Sequence, residues 1–208
     1  MPKMSLLCLA IVAWLLFIFL GMRVLWDYDY SAGNTATAPS ELPPIHGISG
    51  NTGRATLLMF VHPHCPCSRA SVVELAVIMT RSQHRVNGYV MFLQPAHYSH
   101  EWVQTELWDS SAVIPEVKPL VDNEGRYAKM FGAKTSGQTI LYNAAGHLLF
   151  EGGITESRGH MGDNLGQMQI ISLLNRESIT SRETPVYGCP LFSDPRNCEQ
   201  GKFIGCKS

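Results

Sequence analysis

Ala55-Thr-Leu-Leu-Met-Phe-Val-His-Pro-His-Cys-Pro-Cys-Ser-Arg69 opens as an uncharged apolar run that stops at His62-Pro63 and then delivers two cysteines to the start of a second apolar segment. A short continuous apolar run, bounded by Gly53 and by His62-Pro63, reads as a strand buried on both faces. From Ser68 onward, Ala70, Val73, Leu75, Val77 and Ile78 mark an apolar helix that ends near the polar stretch 81–85. Strand, short loop and helix in that order place Cys65 and Cys67 at a helix N-terminus. There, unpaired N–H groups and the helix dipole favour a thiolate.

Working outward, Tyr89 to Leu93 reads as a second strand, Glu101 to Trp108 as an amphipathic helix, and Pro115 and Pro119 bracket a short extended piece. Asn123 to Phe131 is predicted helical, with Asp122 or Asn123 as its cap and Gly132 as its stop. A hairpin follows, with strands Thr139–Tyr142 and His147–Phe150 joined by Asn143-Ala-Ala-Gly146, and a last helix spans Leu165 to Leu174. This order gives parallel crossovers followed by an antiparallel pair. The expected fold is α/β, a mixed sheet with helices on both faces.

Ahead of the quoted stretch, residues 6–22 contain no charge and, as a helix, reach most of the way across a bilayer core. One transmembrane helix is therefore expected before the folded domain. Lys3 precedes it and Asp27 and Asp29 follow Arg23, a small positive-inside bias for an N-in, C-out signal-anchor. A cleaved signal peptide is the competing reading, although its best small-x-small site, Ala36-Thr37-Ala38, lies well beyond the apolar stretch. Residues 27–54, rich in Ser, Gly, Thr, Asn and Pro, read as a flexible tether. The expected plan is anchor 1–26, tether 27–54, folded domain 55–180 and a cysteine-containing tail 181–208. A net charge of −1 gives no basic footprint for nucleic acid, and 45% hydrophobic residues suit one core.

Thiolate is the nucleophile in disulfide exchange, and a second thiol lets a protein release a mixed-disulfide partner. Cys65 is expected to attack and Cys67 to resolve, with His64 tuning reactivity. A Cys-x-Cys disulfide closes a very small ring, so its oxidised form is expected to be strained and easily reduced. The run Phe60 to Arg69 resembles the thioredoxin active site, with the aromatic residue, Pro63 and Cys65 in place. Ser68 stands at that family's second cysteine position. Gln138 stands where its cis-proline is expected, so a trans peptide is predicted there. With the stretches 152–160, 162–164 and 185–190, the chain resembles the RedB-like branch of thioredoxin-fold proteins over residues 55 to about 191. The resemblance implies a thioredoxin-like mixed sheet of redox type and does not fix a substrate; protein thiols or disulfides are the expected partners of the redox-active cysteines, with no cofactor.

Together these features predict a membrane-anchored oxidoreductase whose domain faces the periplasm or another extracytoplasmic space. Two other classes remain open. His62, His64, Cys65 and Cys67 lie close in sequence and their donor types suit Cu(I) or Zn(II), which allows a copper-carrying metallochaperone. The missing second cysteine position and Gln138 allow a thioredoxin-fold interaction module without turnover. Arg158 or His160 would lower the sulfur pKa if the 157–164 loop lay beside the site, but a turn with Asp163 or Asn164 as helix cap is the preferred reading. Cys189, Cys198 and Cys206 are expected to supply a structural disulfide to the tail.

Overall fold

In a computed structural model, residues 2–48 and 53–192 are described. The chain divides into two compact units, residues 1–31 and 32–208. The first is helix α1, Pro2–Asp29, whose stretch Met4–Asp29 has mean hydropathy 2.6 and is long and apolar enough to cross a membrane. At about 1.5 Å rise per residue its 26 residues exceed the roughly 30 Å of a hydrocarbon core.

In the second unit, β1 (Ala55–Val61) leads through a loop into α2 (Ser68–Arg81) and then β2 (Val86–Gln94). Two short helices, α3 (His100–Val103) and α4 (Glu106–Ala112), precede β3 (Val117–Asn123) and α5 (Arg126–Met130). The hairpin β4 (Gln138–Tyr142) and β5 (Leu148–Gly152), then α6 (Leu165–Asn175), complete the order. The sheet runs β3-β2-β1-β4-β5, with β2 parallel to β1 and β3, and β4 antiparallel to both β1 and β5. All seven residues of central β1 are buried, as its unbroken apolar run requires.

Side chains alternate across the sheet and divide the core in two. Leu57, Met59, Val61, Val90, Phe92 and Leu141 pack on one face with Val72, Leu75 and Ile78 of α2 and Ile170 and Leu174 of α6. Leu58, Phe60, Met91, Ile140 and Tyr142 face the other side, where the five-residue α5 is too short to cover them alone. Part of the supposed tether completes that cover, which corrects the expectation for residues 27–54. Ala38 and Ile45 are buried in this second core, Gly33 and Ala36 donate N–H bonds to Val186 and Gly132, and the Tyr142 hydroxyl donates to the Pro39 carbonyl at 2.9 Å. Few and aperiodic apolar residues among polar ones do this, because an otherwise exposed sheet face supplies the contact area.

Smaller differences have local causes. The helix expected from Glu101 to Trp108 is broken at Gln104-Thr105, where the Thr105 hydroxyl donates to the Pro63 carbonyl at 3.2 Å. The extended piece near Pro119 is the edge strand β3, where a missing N–H costs no ladder bond on the open side. Asp122 at the end of β3 still serves α5, accepting N–H bonds from Tyr127 and Ala128 at 2.8 Å each. The supposed tail also joins the domain as far as 192: Arg182 and Thr184 bond to Glu151, and Val186 and Leu191 are buried. Cys198 and Cys206 lie outside the described residues.

Candidate functional site

The loop after β1 is wound before the helix begins. Cys65 N–H donates to the His62 carbonyl at 3.0 Å, and Ser68 and Ala70 N–H donate to the carbonyls of Cys65 and Cys67 at 3.2 Å each. Cys67 is the cap residue of α2 and offers no side-chain capping bond. Both loop cysteines are buried, at 4% and 8% exposure, beneath exposed His64 and Pro66.

A third sulfur meets them. The Sγ atoms of Cys65, Cys67 and half-buried Cys189 lie within 4.8 Å of one another, all as free cysteines. This corrects the structural disulfide expected for Cys189. Residues 186–191 run back beside the loop before β4, with Thr135 and Pro190 bridged, Ser136 N–H donating to the Cys189 carbonyl and Leu191 N–H to the Lys134 carbonyl, both at 2.8 Å. Gly188 is needed for this approach, because a Cβ there would lie inside the Ser136 carbonyl oxygen. Arg158 also holds the segment, donating to the Gly188 carbonyl.

Sulfur–sulfur hydrogen bonding decides the charge distribution. Cys65 is held far below the ordinary thiol range by hydrogen bonds from the thiols of Cys189 and Cys67, which outweigh its burial, with further help from the Ser68 hydroxyl. Cys189 is pushed far up, since hydrogen bonding to the Cys65 and Cys67 sulfurs favours its protonated form and it is buried beside the Cys65 charge. For Cys67 the bond from Cys189 favours the thiolate, but its own bond to Cys65, burial and the Cys65 charge outweigh that and raise it. Arg158 draws it partly back down. The cluster therefore holds one thiolate, on Cys65, and two protonated donors.

Behind the sulfurs, Ser68 and Ser136 hydroxyls are 2.6 Å apart, and Ser136 Oγ also accepts the His62 N–H at 2.7 Å. Gly137, at φ +93°, turns the chain here and donates to the Phe60 carbonyl at 2.7 Å. Ser136, not Gln138, thus faces the loop from this side. The Gln138 side chain bends back to accept Lys134 N–H at 3.3 Å, and no cis peptide occurs among the described residues.

The two imidazoles are occupied elsewhere. His64 Nε2 lies 3.0 Å from the Trp102 carbonyl, with the ring against that indole at 4.6 Å between centroids. His62 Nδ1 accepts the His64 N–H at 3.2 Å, and burial keeps its pKa low despite the opposing pull of the Cys65 thiolate. Neither ring nitrogen joins the sulfur cluster, so the four-residue set His62, His64, Cys65 and Cys67 does not converge.

The 157–164 loop has a divided role. Asn164 caps α6 by accepting Gln167 N–H at 2.8 Å, while buried Glu74 of α2 accepts Gly162 N–H at 2.7 Å and the Gln167 amide. The Ser157 hydroxyl and the Arg158 carbonyl oxygen both meet His160 Nδ1, at 2.7 and 2.9 Å. The capping reading of this loop holds, and Arg158 adds an electrostatic contact to Cys67. Ser136 is not identifiable as a site residue from sequence, and Cys189 is expected there only as a disulfide partner or a further metal ligand. For Cys189 the available signal was the odd number of cysteines after residue 180.

No family model matches this chain, and no curated protein does. Among solved structures it is similar to an uncharacterized conserved protein from Geobacillus kaustophilus, with 18% identity, 80% of this chain and 94% of that one covered, and TM-score 0.57. It is also similar to a hypothetical protein from Sinorhizobium meliloti 1021, with 18% identity, 77% and 95% coverage and TM-score 0.56. A secreted Mycobacterium tuberculosis disulfide oxidoreductase aligns with 61% of this chain and 84% of its own, at 13% identity and TM-score 0.41. With β1 central, β2 and β3 parallel to it, an antiparallel β4-β5 hairpin and a cysteine loop between β1 and α2, the chain has a thioredoxin-like fold.

Proposed function

We propose that this protein is a membrane-anchored, extracytoplasmic thiol-disulfide oxidoreductase acting on protein thiols or disulfides. The observation that carries this reading is the buried Cys65 sulfur, stabilised as a thiolate by two neighbouring thiols. Cys65 attacks one sulfur of a partner disulfide, forming a mixed disulfide and expelling the other partner sulfur as a thiolate. Cys67, deprotonated as it attacks, then displaces Cys65's partner sulfur and closes the Cys65–Cys67 disulfide. The partner gains two electrons, with one proton from Cys67 and the second from solvent, because Cys65 begins as a thiolate. The reverse sequence donates the disulfide, and ring strain in Cys-x-Cys favours that direction. Ser68 steadies the thiolate, and α1 supports anchoring with the folded unit on the C-terminal side of the bilayer.

The test is trapping in the full chain, purified in detergent. Because Cys189 also lies within reach, the trap variant is Cys67→Ser with Cys189→Ser, challenged with a protein disulfide. A mixed disulfide should accumulate on Cys65 in that variant and vanish when Cys65→Ser is added. Absence of any adduct in the trap variant, with its thiolate intact by alkylation, would instead make the domain an interaction module without turnover.

A further inference from the structure

We infer that Cys65, Cys67 and Cys189 form a three-thiolate binding site for Cu(I), a role beyond disulfide exchange. The three Sγ atoms already lie within 4.8 Å of one another. A metal with thiolate bonds of about 2.3 Å at the centre of a sulfur triangle holds those sulfurs roughly 4.0 Å apart. Closing on an ion therefore needs less than an ångström of adjustment per pair, within the reach of small χ rotations.

Two separate parts of the chain make the triangle. The loop before α2 gives Cys65 and Cys67, and the segment clamped to Lys134 and Ser136 brings Cys189. Among the described residues no imidazole nitrogen or carboxylate oxygen joins the three sulfurs. His62 Nδ1 is engaged by His64 N–H and His64 Nε2 by the Trp102 carbonyl.

That donor set selects the metal. Soft thiolates favour Cu(I), whereas structural Zn(II) is closed by four ligands in a tetrahedron, and no fourth protein donor stands in this cluster. Arg158, whose charge acts on Cys67 and whose guanidinium donates to the Gly188 carbonyl, offsets the excess negative charge of a cation held by three thiolates. On binding, each thiol that becomes a ligand gives its proton to solvent, and neither sulfur nor copper changes oxidation state. A disulfide between any two of the cysteines removes two ligands, so only the reduced protein binds.

The measurement is an anaerobic Cu(I) titration of the reduced full chain in detergent against a chromogenic Cu(I) chelator, with X-ray absorption on the loaded protein. The expected result is three sulfur neighbours per copper in the wild type. Cys189→Ala should weaken affinity at least about tenfold and leave two sulfurs, while Cys198→Ala with Cys206→Ala should leave affinity unchanged. Two or fewer sulfurs in the wild type, unchanged affinity in a folded Cys189→Ala, or loss in the tail double variant would overturn the site. The wild-type spectrum decides even if Cys189→Ala fails to fold. Trapping on Cys65 is read without copper, so either role fails without the other.

Discussion

Cys65 carries its negative charge in a buried position, and three neighbouring donors make that possible. An ordinary thiol, with pKa about 8.5, loses about tenfold in alkylation rate for each pH unit below that value. Cys65 is depressed and stays ionised through neutral pH, whereas Cys67 and Cys189 are raised and stay protonated. Iodoacetamide labelling followed by peptide mass mapping should therefore find Cys65 modified at a rate nearly flat between pH 6 and about 8, with the other two rising only at higher pH. Ser68→Ala removes a donor to that thiolate and should move the lower edge of its labelling profile upward. Ser136→Ala should strand the His62 N–H, costing about 1–3 kcal/mol in a denaturant melt. Sequence identified Cys65 because its role follows from neighbours in the chain. The role of Ser136, and the meeting of Cys189 with the loop sulfurs, were beyond its reach, since both arise from pairing between distant segments.

At the scale of elements, the position of the third sulfur depends on how closely residues 186–191 approach the loop before β4. Gly188→Ala places a methyl against the Ser136 carbonyl, and the segment must retreat. The expected outcome is a higher pKa for Cys65, read from its labelling profile, since its first hydrogen-bond donor is displaced. Asn164→Ala should cost about 1 kcal/mol through loss of the α6 cap, measured by the same melt, and should leave that profile alone. The strands β1, β4 and the start of α2 were legible because period and turn chemistry agree there. Residues 32–48 were misread because their composition argues for solvent. Only the uncovered sheet face above Tyr142 and Phe60 explains why Ala38 and Ile45 are buried.

For the molecule as a whole, α1 is the one described helix long and apolar enough to span a bilayer. Alkaline carbonate should leave the protein in the membrane pellet and detergent should release it. Leu15→Arg, at the middle of the apolar run, should cost about 2.5–3.5 kcal/mol of insertion and shift much of the chain to the soluble fraction. The clamp on Cys189 also sets an order of events during biosynthesis. The ribosome makes the Cys65–Cys67 pair long before it makes residues 186–191, and the folded cluster needs all of them. A growing chain thus presents two loop thiols without their third companion. In that interval any oxidant meets a pair free to close on itself, and the late-arriving sulfur joins an intact cluster only where those two were kept reduced.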